Sequence, residues 1–137
     1  MRVIIDTNVL FSALITPGNT PDKIYEAWRE KKFLLVTSVE QLAEIRRASR
    51  YAKFKTNLQP LRVGRMMNNL RQAMLVVPQP VDIEIFDPMD IFLFGMAKAG
   101  NADYLVTGDK RAGLLALKAY GRTQIVTPTA FVEKVLG

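Results

Sequence analysis

The chain has 137 residues, is 49% hydrophobic and 23% charged, and has a formal net charge of +6 with no cysteine and no histidine. This length favours a single domain over residues 1–137, and the positive charge is typical of proteins that bind polyanions. The missing residue types exclude disulfides, thiolate nucleophiles, imidazole acid–base catalysis and metal sites built from cysteine or histidine. Any chemistry must therefore rely on carboxylates, lysine, arginine, tyrosine, hydroxyl groups or a metal ion held by oxygen.

The first half of the chain predicts short buried strands that alternate with helices. Residues 2–5 and 34–37 are short apolar runs, which are typical of strands buried on both faces. A helix is predicted over residues 8–15, and the turn-forming segment TPGNTP ends it. A second helix is predicted from Pro21, and a third follows Ser38, where SVEQ matches a helix capping box.

The second half of the chain continues the alternation. Further strands are predicted at residues 75–77, 104–107 and 124–127. Helices are predicted over residues 60–75 and 91–99 and from Pro128, and the segment GDKRAGLLALKAY is predicted to begin as a loop and continue as a helix. The whole pattern predicts an α/β fold with a parallel five-stranded sheet and helices on both faces. Ligands of such sheets bind at the carboxyl ends of the strands.

The sequence contains no run of about 18 apolar residues that would cross a bilayer. Its first segment has one arginine and an apolar run interrupted by Asp6, which does not resemble a signal peptide. We therefore expect a cytoplasmic protein that does not associate with membranes.

Four acidic residues stand where this fold would bring carboxylates to one edge of the sheet. Asp6 follows the first strand, and Glu44 lies in the helix after the second. Asp90 opens the helix before the fourth strand, and Asp109 follows that strand. Carboxylates that gather repel each other unless a cation neutralises them, and oxygen-only ligation suits Mg²⁺ or Mn²⁺. Such an ion can orient a phosphodiester and activate water without an imidazole.

Each of these acids also has a purely structural interpretation. Asp6 and Asp90 could cap the helices that follow them, and Glu44 could be a solvated helix charge. Asp109 could be a turn residue before a helix. Two further acids lie nearby in less favourable places, namely Asp87 and Asp103. Without a family comparison, the four acids suggest a metal site and no more.

The chain resembles the PIN-domain family, and within it the prokaryotic PIN proteins grouped with VapC-like toxins of toxin–antitoxin pairs. The resemblance rests on four segments that occur in the family's order: IIDTNVLFSAL, LVTSVEQLAEI, DIFLFGMAKAGNADYLVTGD and IVTPTAFVEKVL. It implies a metal-dependent ribonuclease with an acidic cluster at the end of a parallel sheet and Mg²⁺ or Mn²⁺ as the cofactor. It also implies a small antitoxin as partner and a homodimer.

Carried over position by position, the resemblance implies that four acids bind the metal and carry catalysis: Asp6, Glu44, Asp90 and Asp109. It implies polar supporting residues at Thr7, Asn8, Ser38 and Thr107, although capping already explains Ser38. Two departures concern metal number and affinity. Met89 in DPMD stands where relatives commonly have a further acid, and RAGLL after TGDK lacks a typical acid. Neither departure removes one of the four acids.

The segment RRASRYAKFK, residues 46–55, is basic and includes the aromatic residues Tyr51 and Phe54. It predicts an RNA-binding surface beside the acids, with the two rings available for base stacking. Its basic residues are Arg46, Arg47, Arg50, Lys53 and Lys55. The alternative is the solvated face of a helix.

Three other classes of protein fit parts of this pattern. A receiver-type signalling domain shares the fold and an Mg²⁺-binding acid cluster, but needs adjacent acids after the first strand. A phosphatase of the haloacid dehalogenase type needs Asp-x-Asp, and Asn8 occupies its second position. A non-catalytic PIN-like module that binds RNA or protein is the third class, and the four intact acids argue against it.

Overall fold

A single mixed sheet of six strands forms the centre of the protein in a computed structural model. The structure describes residues 1–50, 58–81, 88–108 and 114–137, and only the backbone of residues 88–90, 114 and 116. The strands are β1 (Arg2–Ile5), β2 (Leu34–Thr37), β3 (Met74–Leu75), β4 (Tyr104–Val106), β5 (Ala119–Tyr120) and β6 (Thr123–Val126). Their order across the sheet is β3-β2-β1-β4-β6-β5.

The predicted sheet is confirmed in its parallel part and wrong at one edge. All five predicted strands pair in parallel, from β3 at one edge to β6. The sixth strand, β5, pairs antiparallel with β6 and occupies a segment that was predicted to be helical. Lys118 has a φ of 61° and ends the preceding helix, and Gly121 has a φ of 57° in the two-residue turn between β5 and β6. These two left-handed residues turn the chain back into a tight hairpin.

Helices fill the connections between the strands. They are α1 (Thr7–Ile15), α2 (Thr20–Arg29), α3 (Val39–Ala48), α4 (Pro60–Leu70), α5 (Pro88–Gly100), α6 (Leu114–Leu117) and α7 (Pro128–Phe131), which continues as a π-helical turn over Val132–Leu136. The predicted helix over residues 60–75 ends earlier than expected, because β3 begins at Met74. The helix predicted from residue 91 begins earlier, at Pro88.

The two faces of the sheet carry separate hydrophobic clusters. Val3 and Ile5 of β1 are buried with residues of α1, α2, α3, α4 and α7. Ile4, between them, is buried on the other face with Phe94 and Met96 of α5. Because successive side chains of a strand point to opposite faces, β1 is covered on both sides. The prediction of helices on both faces is confirmed.

The order of the strands creates a crevice at the carboxyl end of β1. The chain builds β2 and β3 on one side of β1, and then β4 and β6 on the other side. Open α/β sheets bind ligands where the strand order reverses in this way, because the two following connections diverge and leave a gap. The gap lies between the ends of β1 and β4.

Across the described ranges, no helix is long and apolar enough to cross a membrane.

Asp103, a secondary candidate from the sequence, lies at the amino ends of β1 and β4, at the other end of these strands from Asp6. It immediately precedes β4, and its carboxylate accepts the Arg2 backbone N–H at 2.8 Å and the Arg122 guanidinium at 2.7 Å. The Arg2 hydrogen bond, followed by that from Arg122, lowers the pKa of this carboxyl below its ordinary value. Its role is to tie β1 to β4, away from the crevice.

We expect Asp103→Asn to lower the free energy of unfolding by about 1 kcal/mol at pH 7, because the charged acceptor is lost. The pKa of Asp103 is lower in the folded than in the unfolded chain, so its stabilisation is present above the unfolded pKa. It is lost as the pH falls through the folded pKa. Urea unfolding of both proteins at pH 7 and pH 3 tests this, and an equal difference at both pH values would contradict it.

Candidate active site

Asp6 is fixed at the junction of β1, β4 and α1. The register pairs Ile5 with Val106, so the next residues of the two strands, Asp6 and Thr107, come side by side. The Thr107 hydroxyl donates to one carboxylate oxygen of Asp6 at 2.8 Å, and the Asn8 backbone N–H approaches the other at 3.3 Å. The Asp6 backbone N–H donates to the Val106 carbonyl at 2.9 Å. The carboxylate is therefore held at the crevice by both neighbouring strands.

The capping interpretation of Asp6 is confirmed, and it does not compete with a role as a ligand. Asp6 is the N-cap of α1, and its carbonyl also accepts the first backbone N–H groups of that helix. An ionised carboxylate has two oxygens and about four lone-pair directions, so capping a helix and binding a ligand are compatible roles. The same geometry that caps the helix aims the carboxylate at the crevice.

The four predicted supporting residues differ in how they relate to the Asp6 carboxylate. Thr107 is fully buried and contacts Asp6, while Asn8 is exposed and contributes its backbone N–H. Thr7 is the first residue of α1 and is buried. Ser38 caps α3 by accepting the Gln41 N–H at 3.1 Å, and its hydroxyl lies 3.3 Å from the Met96 sulfur. Only Thr107 touches the Asp6 carboxylate with its side chain among these four.

Gln41 is a site residue that the sequence interpretation missed. Its side chain is buried, donates to the Ile5 carbonyl at 2.8 Å and accepts the Thr37 hydroxyl at 2.6 Å. The reciprocal half of the predicted capping box therefore does not form, since the amide is used elsewhere. Instead, Gln41 ties α3 to the ends of β1 and β2, directly beside Asp6. The sequence could have indicated this burial, because Gln41 lies one turn before Ile45 on the apolar face of α3.

Glu44 lies one turn after Gln41 on the same side of α3. Its side chain is 17% exposed, so Glu44 is a partly buried helix charge. The Arg47 guanidinium, three residues later, donates to the Glu44 carboxylate. This ion pair offsets part of the cost of burying the charge.

Of the other two predicted ligands, Asp90 is described by its backbone alone and Asp109 is outside the described residues. Asp90 is the third residue of α5, inside the first turn and not before it, so the capping interpretation does not apply. Its side chain lies outside the description. Asp109 and Asp87 lie outside the described residues altogether, as do Lys53, Lys55, Tyr51 and Phe54. Among the side chains that are described, no three acids gather closely enough to hold a metal ion.

The donor set at the crevice consists of oxygen atoms. It includes the Asp6 carboxylate and the Thr107 hydroxyl, which suit a hard divalent cation such as Mg²⁺ or Mn²⁺. Three arginines of the predicted RNA-binding surface are exposed: Arg46, Arg47 and Arg50. Arginine side chains are suited to binding phosphate groups.

A family model described as the PIN domain matches residues 2–111, a range that includes Asp6, Glu44, Asp90 and Asp109. No curated protein matches the chain significantly.

We expect Gln41→Met to lower the free energy of unfolding by about 1–3 kcal/mol. The substitution keeps the length of the side chain but leaves the Ile5 carbonyl and the Thr37 hydroxyl without their buried partner. Gln59→Met, at an exposed position before α4, is the matched control and should change stability by less than about 0.5 kcal/mol. Equal urea midpoints for Gln41→Met and the wild type would contradict this role of Gln41.

Proposed function

The chain belongs to the PIN-domain family, and from that premise we propose that it is a Mg²⁺- or Mn²⁺-dependent ribonuclease. PIN domains are typically nucleases that act on nucleic acid and commonly use divalent metal ions. One observation above all supports the hydrolysis of RNA phosphodiester bonds by this chain. The Asp6 carboxylate is held by Thr107 and by α1 in the crevice between β1 and β4, where this class of sheet binds its ligands.

Four acids would hold the ion or ions, directly or through water: Asp6, Glu44, Asp90 and Asp109. When bound, the ion would supply an activated water and neutralise charge on the phosphodiester. The chain's own residues do the positioning. Thr107 and the N-terminus of α1 orient Asp6, and Gln41 sets the place of α3 and with it Glu44. No histidine is present to move protons, so proton transfer falls to water and carboxylates.

The arginines at the end of α3 would bind the backbone phosphates of the substrate. Arg46, Arg47 and Arg50 are exposed, and the Arg47 guanidinium already lies against Glu44. An RNA chain held by these arginines would lie against the helix that also carries Glu44, since Arg46 and Arg47 belong to α3 and Arg50 follows two residues after its end. The proposal extends to Lys53 and Lys55 from their sequence positions alone.

The biological role within this proposal is that of a toxin restrained by a small antitoxin, acting as a cytoplasmic homodimer. Its support is the resemblance of the segments IIDTNVLFSAL and ADYLVTGD to VapC-like toxins. The second candidate is a PIN-like module that binds RNA without cutting it. The Arg47–Glu44 ion pair, which engages one of the four acids, is the observation that favours that alternative.

We expect the purified protein to cleave single-stranded RNA in Mg²⁺ or Mn²⁺ and to stop when EDTA is in excess. The physical reason is that a bound metal ion makes water nucleophilic at neutral pH, and a chelator removes that ion. Asp6→Asn should lower the rate by more than the roughly 10–100-fold loss that outer-shell changes cause. Gel analysis of a labelled oligonucleotide measures both effects.

Asp103→Asn serves as the control, because it removes the same charge at the opposite edge of the sheet and should cleave like the wild type. Full cleavage in excess EDTA would reject the metal mechanism. Binding of RNA without cleavage under any metal condition would favour the non-catalytic module.

A further inference from the structure

A groove with an apolar floor lies where the end of α3 meets the start of α4. Its volume of about 410 Å³ falls in the range of small-ligand pockets. Leu58 and Met67 are buried in its floor and Val63 is half-buried. Arg46 and Arg50 stand on its rim, exposed to solvent. The groove therefore combines an apolar surface with two cations at its mouth.

The charged side chains that line this groove are of one sign. They are the guanidinium groups of Arg46 and Arg50. Neither Arg46 nor Arg50 forms an ion pair with any acidic side chain in the described part of the chain. The occupant that this environment favours is an anion with a flat or apolar part.

We propose that the groove between α3 and α4 binds one unpaired base of the RNA substrate, with Arg46 and Arg50 on the adjoining phosphates. This rests on the proposed ribonuclease function and adds a binding site to it: a groove for one unpaired base, outside the crevice at Asp6. A base is a flat apolar surface on an anionic backbone, and such bases are bound by stacking on apolar, aromatic or guanidinium groups. A base paired within a duplex cannot enter a groove.

The helix α3 separates the groove from the acidic crevice. Arg46 follows Glu44 by two residues, which is about 3 Å along the axis of α3 and about 200° around it, so the two side chains lie on different faces of the helix. An RNA chain with a base in the groove would therefore have to pass around α3 to reach the crevice at Asp6. The floor offers few polar groups, so we expect little preference among the four bases.

Gly64 of α4 makes the groove testable without changing any charge. It lines the groove, and a Cβ atom built on it meets no heavy atom within 4 Å. Gly64→Leu should therefore fill part of the groove, and it should strengthen α4 because leucine favours helices more than glycine does. Asn68→Leu is the matched control, since Asn68 is exposed on the same helix and lies outside the groove.

The experiment measures binding of a fluorescent single-stranded RNA in EDTA, where the substrate stays intact, by anisotropy. We expect Gly64→Leu to weaken binding about tenfold, the loss typical of one stacked base, and Asn68→Leu to bind like the wild type. Both variants should melt at or above the wild-type temperature. An abasic oligonucleotide of the same length should bind the wild type about tenfold more weakly, and Gly64→Leu should barely distinguish it from the intact RNA.

Equal affinity of the wild type for intact and abasic RNA would overturn the base site, whatever the fate of the variant. A second outcome would also overturn the base site: Gly64→Leu weakens binding of a poly-glutamate peptide but leaves RNA binding unchanged. That outcome would assign the groove to an acidic protein segment. Cleavage separates the two proposals. If the wild type cleaves RNA and the base site fails, only this inference is wrong. If the wild type neither binds nor cleaves RNA, both proposals are wrong.

Discussion

The hydrogen bond from the Thr107 hydroxyl to the Asp6 carboxylate joins the ends of the two strands on which the candidate site depends. It lies where the strand order reverses, so it spans the gap that parallel sheets of this kind use for ligands. Gln41 adds α3 to the same point through the Ile5 carbonyl, one residue before Asp6. The ends of β1 and β4 and the helices α1 and α3 are thus joined by hydrogen bonds at Ile5 and Asp6. These bonds fix the position of α3, which carries Glu44.

The distribution of charge gives this geometry its chemical meaning. Asp6 lies at the carboxyl end of β1, whereas Arg46 and Arg47 lie in the last turn of α3 and Arg62 and Arg65 lie in α4. An acidic centre repels RNA, and a basic surface beside it offsets that repulsion. The Arg47–Glu44 ion pair lies at the boundary between the two regions. Because the chain has no histidine and no cysteine, the proposed chemistry depends on a cation held by carboxylates.

Local patterns predicted the regular parts of the fold, and long-range contacts decided the rest. The apolar runs at residues 2–5 and 34–37 are strands, and the parallel-sheet rule placed Asp6 at the carboxyl edge. The hairpin of β5 and β6 was missed because a two-residue strand has no periodicity and depends on the positive φ values of Lys118 and Gly121. Gln41 was assigned to a local cap because its partner, Ile5, is 36 residues away in sequence.

The most direct measurement is the shift in melting temperature that Mn²⁺ causes in the wild type, in Asp6→Asn and in Asp103→Asn. A ligand of the folded state raises stability in proportion to the logarithm of its concentration over its dissociation constant. If Asp6 binds the ion, the shift should be large in the wild type and in Asp103→Asn and should nearly vanish in Asp6→Asn. An undiminished Mn²⁺ shift in Asp6→Asn would contradict the assignment of the crevice between β1 and β4 as the metal site.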